Sequence, residues 1–129
     1  MGIIIPVFSL KTLTFAATTS LAPLVRVIDV RQWRELTFLL RVFINSCGSG
    51  SSITFRIRAC APSDEGPDLD FVDPTDLASV QITSSTVAGT LLRGPVSANF
   101  GGWVQVLVEA TKGANPCAAS VNADFSAKE

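Results

Sequence analysis

Between Asp64 and Asp76 the chain gathers six acidic side chains, Asp64, Glu65, Asp68, Asp70, Asp73 and Asp76. Clustered carboxylate oxygens are what a calcium ion takes as ligands, which makes Asp64, Asp68, Asp70 and Asp73 the candidate metal ligands. Their spacing is not that of an EF-hand, and Pro67 and Pro74 interrupt the acids, so the competing reading is a solvated acidic loop with no metal. Like charges packed this closely repel unless a cation or arginines offset them. Arg56 and Arg58 of a neighbouring subunit are candidates for that role. Other chemistry is scarce. The chain has no histidine and no tyrosine, which removes Ser-His-Asp and Cys-His nucleophile arrangements, His-based zinc sites and the commonest general base. Carboxylates alone can hydrolyse glycosides, and Glu35, Glu109 and Asp124 lie in or near strands, but each reads more simply as an outer-face residue. No enzymatic activity and no cofactor are expected. The glycine-rich "GSGSS" at 48–52 lacks the lysine of a phosphate-binding loop and precedes a strand, not a helix. "RVFI" and "TFRIR" interleave too few basic and aromatic residues for a nucleic-acid platform.

Trp33 and Trp103 each stand at the start of a strand, where they cap the core or, if exposed, stack on a sugar or a partner. Cys47, Cys60 and Cys117 match no zinc or redox spacing, and an odd number leaves at least one thiol unpaired. Reduced thiols are the expectation, with a Cys60–Cys117 bridge the alternative if their strands are neighbours.

The elements that must position these residues are strands. From Arg34 onward, Leu36, Phe38, Leu40, Val42 and Ile44 recur at period two, which predicts a core strand. Burying five such side chains is worth roughly 8 to 15 kcal/mol before chain entropy is subtracted. The opposite face, Glu35, Thr37, Leu39, Arg41 and Phe43, is mixed: Arg41 suits water, whereas Leu39 and Phe43 suit a second packed surface. After the small-residue loop 45–52, "ITFRIRACA" directs Ile53, Phe55, Ile57, Ala59 and Ala61 inward. The two strands are most simply a hairpin, with a crossing between sheets as the alternative for so long a loop. Residues 62–76, with six acids and three prolines, predict a surface loop with no regular ladder, pinned by Phe71 and Val72. Alternation resumes at "ASVQIT", "TLL", "WVQVLVEAT" and "ASVNADFSA". Upstream, "FSLKTLTF" and "LVRVIDV" are shorter strand candidates, and residues 1–23 form an N-terminal arm or first strand ahead of a β-sandwich domain at 24–129. About eight short strands predict an all-β antiparallel sandwich, jelly-roll-like. An immunoglobulin-like sandwich is the alternative topology, without that family's cysteine and tryptophan spacing.

With 129 residues, the chain is long enough to bury a core as one domain. Charged residues make up only 16%, against about 25% in typical soluble domains, a deficit that points to a covered surface. Residues 1–60 carry seven bases and two acids, while residues 61–129 carry three bases and nine acids. Either the fold interleaves these halves, or a basic surface on one subunit meets an acidic one on the next. The segment "MGIIIPVFSLKTLTFAA" lacks a basic n-region, and Pro6, Ser9 and Lys11 break its apolar run, so it reads as mature chain. No run reaches the length of a membrane span.

The order of elements is itself informative. An apolar N-terminal arm, then "VIDVRQWRELTFLLRVF", a small-residue turn, "ITFRIRA", an acidic spacer ending in "DF", "NFGGWVQVLVEAT" and "ASVNADFSA" together resemble small β-sandwich virion proteins of tailed bacteriophages and phage-like particles. That resemblance implies a structural role in a capsid, tail or decoration layer, located in the virion and assembled in the host cytoplasm, as symmetric homo-oligomers with no catalytic site. A strand apolar on both faces and few charges lead to the same place: a surface packed against copies of itself, with Leu39, Phe43, Arg56, Arg58 and Trp103 as candidate interface residues and the arm adding a strand to a neighbour's sheet. The rival from another class is a carbohydrate-binding module that holds a glycan through a tryptophan.

Overall fold

The computed structural model describes residues 2–25, 27–62, 69–97 and 100–129, and at 61, 62 and 69–74 the description is of the backbone alone. It is all-β. The strands are β1 (Gly2–Phe15), β2 (Thr19–Pro23), β3 (Ile28–Asp29), β4 (Glu35–Asn45), β5 (Ser52–Pro62), β6 (Leu69–Thr83), β7 (Leu91–Pro95), β8 (Trp103–Thr111) and β9 (Cys117–Lys128). Two antiparallel sheets form, ordered β1-β9-β4-β7 and β2-β8-β5-β6, and β3 also pairs with β8. We call them sheets A and B.

The pairing is nested. β1 meets β9, β2 meets β8, β4 meets β7 and β5 meets β6, so the chain is one long antiparallel ribbon doubled back on itself. Pairing of β9 with β4 and of β8 with β5 then rolls that ribbon into a sandwich. This is the jelly-roll connectivity. β2 and β3 are two halves of one strand. Pro23 opposes Leu107 and Ile28 opposes Val104, so the segment between them holds more residues than its partner.

Alternation drives the layering, because successive side chains of a strand point to opposite faces. β9 alternates without a break, burying Cys117, Ala119, Val121, Ala123, Phe125 and Ala127. Leu36, Phe38, Leu40 and Val42 of β4 join them from sheet A, and Ile53, Phe55, Ile57, Val80, Ile82, Val104 and Val106 face them from sheet B. Phe38 sits at the centre, its ring centroid 5.4 Å from Phe125 beside it and 6.4 Å from Phe55 across the sandwich.

Several expectations from the sequence are corrected. Ile44 is not a core residue: a bulge between Val42 and Ile44 breaks the alternation, and Phe43 and Ile44 are both exposed, at 44% and 59%. β4 and β5 are not a hairpin but cross from sheet A to sheet B. Residues 69–76 belong to β6 and are not a loop, with Phe71 opposite Ala61 and Asp76 opposite Arg58. β6 is an edge strand interrupted by register shifts, which is where a proline such as Pro74 is tolerated. Residues 2–15 and 19–23 supply β1 to sheet A and β2 to sheet B. Phe71 and Val72 lie outside the described side chains.

The cysteines also pair differently. Cys47 and Cys117 form a disulfide and Cys60 is free. Cys60 lies on β5 in sheet B, whereas Cys117 opens β9 in sheet A, so the two do not share a ladder. The bridge ties the β4–β5 connection to the β8–β9 connection, which are also laced by Ser51: its Oγ accepts a hydrogen bond from Gly113 N–H at 2.8 Å and donates one to the Asn115 carbonyl. Gly113 has to be glycine, because a Cβ there would fall 2.5 Å from the Gly50 carbonyl carbon. The disulfide closes a sequence separation of 70 residues. Loops of this size are constrained strongly in the unfolded chain, so reduction is expected to lower unfolding stability by about 2 to 4 kcal/mol. Denaturant titration with and without a thiol reductant measures this, and coincident curves would show the bridge to be energetically silent.

Candidate functional site

The outer faces of the two sheets differ in kind. On sheet B, Arg56 and Arg58 of β5 are in register with Leu107 and Gln105 of β8. Arg56 Nε donates to Glu109 Oε1 at 2.8 Å, its Nη1 bonds Asp76, and Arg58 Nε donates to Asp76 Oδ1 at 2.8 Å. The two arginines therefore find their carboxylates within this chain. Burial works against ionisation of Asp76, but the hydrogen bonds from Arg58 and Arg56 outweigh it and hold its carboxyl below the ordinary value. Arg56 is pushed up, chiefly by its hydrogen bonds to Glu109 and Asp76.

At the end of the same sheet, Arg31 lies over the Trp103 ring with its guanidinium carbon 4.7 Å from the centroid. Asp29 grips that guanidinium through Nε at 3.0 Å and Nη2 at 2.8 Å. Hydrogen bonds from Arg31, the side-chain ones first, draw the Asp29 carboxyl down to about 2. Trp103 is half-buried, and the ring face beneath Arg31 is already occupied. Trp33 is half-buried and packs against the core. Neither tryptophan is an open platform. Gln105, 4% exposed, donates Nε2 to the Val25 carbonyl at 2.7 Å and so holds Val25 between β2 and β3.

Sheet A is different, since among the described residues no other strand lies over its outer face. Leu39 is half-buried there between Asp124 of β9 and Arg93 of β7, and Phe43 projects from the β4 bulge. A second bulge, on β1 between Phe8 and Lys11, puts Leu10 at φ 41° with its side chain 67% exposed. That backbone region is uncommon for a residue with a bulky side chain. Leu10 N–H is held by Asn122 Oδ1 at 3.3 Å. Ile4 of β1, in register with the outward Ser126, is exposed as well, at 57%. Sequence periodicity found Leu39 and Phe43, but missed Leu10 and Ile44, because a bulge depends on the partner strand's register and leaves no local mark.

No protein-family model, characterised sequence or solved structure matches this chain.

The structure thus separates the five candidate interface residues: Leu39 and Phe43 share the outer face of sheet A, while Arg56, Arg58 and Trp103 lie on sheet B. Of the candidate calcium ligands, Asp64 and Asp68 lie outside the described residues. Asp70 and Asp73 are on β6, their side chains also outside them. Burial pushes the Cys60 thiol up to about 11, which keeps it protonated and a poor nucleophile at neutral pH. Among the described residues no helix is long and apolar enough to cross a membrane.

The Asp76 network carries a pH signature. A carboxyl whose folded pKa is depressed adds stability that is complete above its unfolded value, 3.8, and is lost as pH falls through the folded value. Asp76→Asn is expected to cost roughly 1 to 3 kcal/mol at pH 7, by leaving two half-buried arginines short of a partner. It is also expected to flatten the decline in stability below pH 4. Urea unfolding of both proteins from pH 7 to pH 2.5 tests this, and parallel pH profiles would contradict it.

Proposed function

We propose that this chain is a non-enzymatic structural subunit that packs against copies of itself, or against other subunits of a phage or phage-like particle, through the uncovered outer face of sheet A. The observation that carries this reading is a four-stranded face with no strand of the described residues across it, on which two bulges raise apolar side chains into water. Native sheets usually keep such faces polar or cover them, and exposed apolar patches mark association sites.

Three further features support it. Jelly rolls are a recurrent architecture of shell proteins. The titratable side chains that are paired serve the fold: Arg56, Arg58, Asp76 and Glu109 neutralise one another, as do Asp29 and Arg31. The Cys47–Cys117 bridge suits a protein that works where disulfides persist, and particle surfaces are one such place. A glycan-binding role gains no support from Trp103, whose ring carries Arg31.

The test is direct. Leu39→Asp combined with Phe43→Asp places two charges on a surface that the fold leaves open, so the variant is expected to fold with wild-type circular dichroism yet lose self-association. Multi-angle light scattering reads the outcome as a fall in solution mass to that of the 13.6 kDa chain. Wild-type and variant assemblies of equal mass would contradict the proposal.

A further inference from the structure

We infer that the partner on sheet A is a second copy of this chain, seated face to face about a two-fold axis that runs along the midline between β9 and β4. This deepens the assembly reading above and rests on it. Such an axis lays β9 of one copy over β4 of the other, and β1 over β7, without moving any residue along the strand direction. The register within one sheet therefore fixes what each side chain meets across the interface.

The charges match under this operation. Glu35 and Lys128 are register partners on β4 and β9, so the axis sets each against the other's counterpart in the second copy, two opposite-charge contacts at one end of the face. Arg41 and Arg93 stand on the β4–β7 half, and Asp124 on the β9 half. Rotation brings the basic half over the acidic residue.

Shape matches as well. The bulge that turns out Phe43 and Ile44 lies opposite Val121 and Ser120 of β9 within the chain. Across the axis Ile44 meets Ser120, a small outer-face residue of β9, which leaves room for it and for Phe43 beside it. Leu10, level with Asn122 and hence with Arg41 and Leu91, is set over the half-buried Leu91 of the partner. Its unfavourable backbone conformation is thereby accounted for, since it raises an apolar knob at a row where β7 offers an apolar seat.

Size is sufficient. Four strands about 4.8 Å apart and some nine residues at about 3.4 Å each give a face of roughly 20 by 30 Å. Two such faces in contact bury roughly 1,200 Å² in total, the lower end of specific interfaces.

The experiment uses two exposed residues and the intact chain. Glu35→Lys gives a copy with only positive charge at the two positions, and Lys128→Glu gives one with only negative charge. Each variant alone opposes like charges across the axis, so sedimentation velocity is expected to show at least tenfold weaker association than wild type. An equimolar mixture restores the charge match at both contacts and is expected to sediment as a dimer. Rescue by mixing is an intermolecular effect, because the repulsion created inside each chain is still present in the mixture. If wild type associates but either variant alone does so equally well, or the mixture stays monomeric, this geometry is overturned while the assembly reading stands. A monomeric wild type overturns both. Should either variant fail to fold, Arg41→Glu mixed with Asp124→Arg applies the same logic to the centre of the face.

Discussion

The fold depends on Phe38 being surrounded on every side. It is wholly buried, paired in register with Phe125 on one flank and with Gly94 on the other, and it reaches Phe55 of the opposite sheet. Those partners come from β9, β7 and β5, so the contacts of this one ring join strands far apart along the ribbon. Gly94 completes the arrangement: a Cβ there would come within 3.1 Å of Val80 and 3.7 Å of Phe38 itself. The absent side chain lets β7 lie close to β6 at the corner where the two sheets meet.

From that centre, each sheet is free to specialise its outer face. Sheet B spends its outer charges internally, on the ion pairs of Arg56, Arg58, Asp76 and Glu109. Sheet A leaves Arg41, Arg93 and Glu35 exposed and sets apolar residues among them. The inner faces of β4, β5, β8 and β9 are buried almost entirely within one chain. In the proposed assembly a partner covers the outer face alone, so charge there is expected to alter assembly without unfolding the subunit.

Much of this architecture is legible in the sequence. Unbroken alternation in β9, and in β4 as far as Val42, is a local pattern that carries burial directly. Leu39 and Phe43 emerge as outward apolar residues by the same logic. What is illegible depends on distant partners. Ile44 follows the alternation of its own strand and leaves the core only because β9 forces a bulge. The acids from Asp70 to Asp76 read as loop by composition, yet β5 provides a ladder for them, and Asp76 gains two arginines that no spacing rule connects to it. Cys47 and Cys117 meet because two turns share one end of the sandwich, a consequence of the jelly-roll path that emerges only once strand order is known. The positive φ of Leu10 has no sequence signature at all.

The central claim is that the uncovered face of sheet A is an interface. It is tested most directly by sedimentation equilibrium of the unmodified chain over a hundredfold range of concentration, at low and at high salt. The account predicts a mass that rises with concentration from that of a single 13.6 kDa chain toward twice that value, with the rise weakened by salt because part of the attraction is between exposed charges. A single-chain mass at every concentration, at both salt levels, would contradict it.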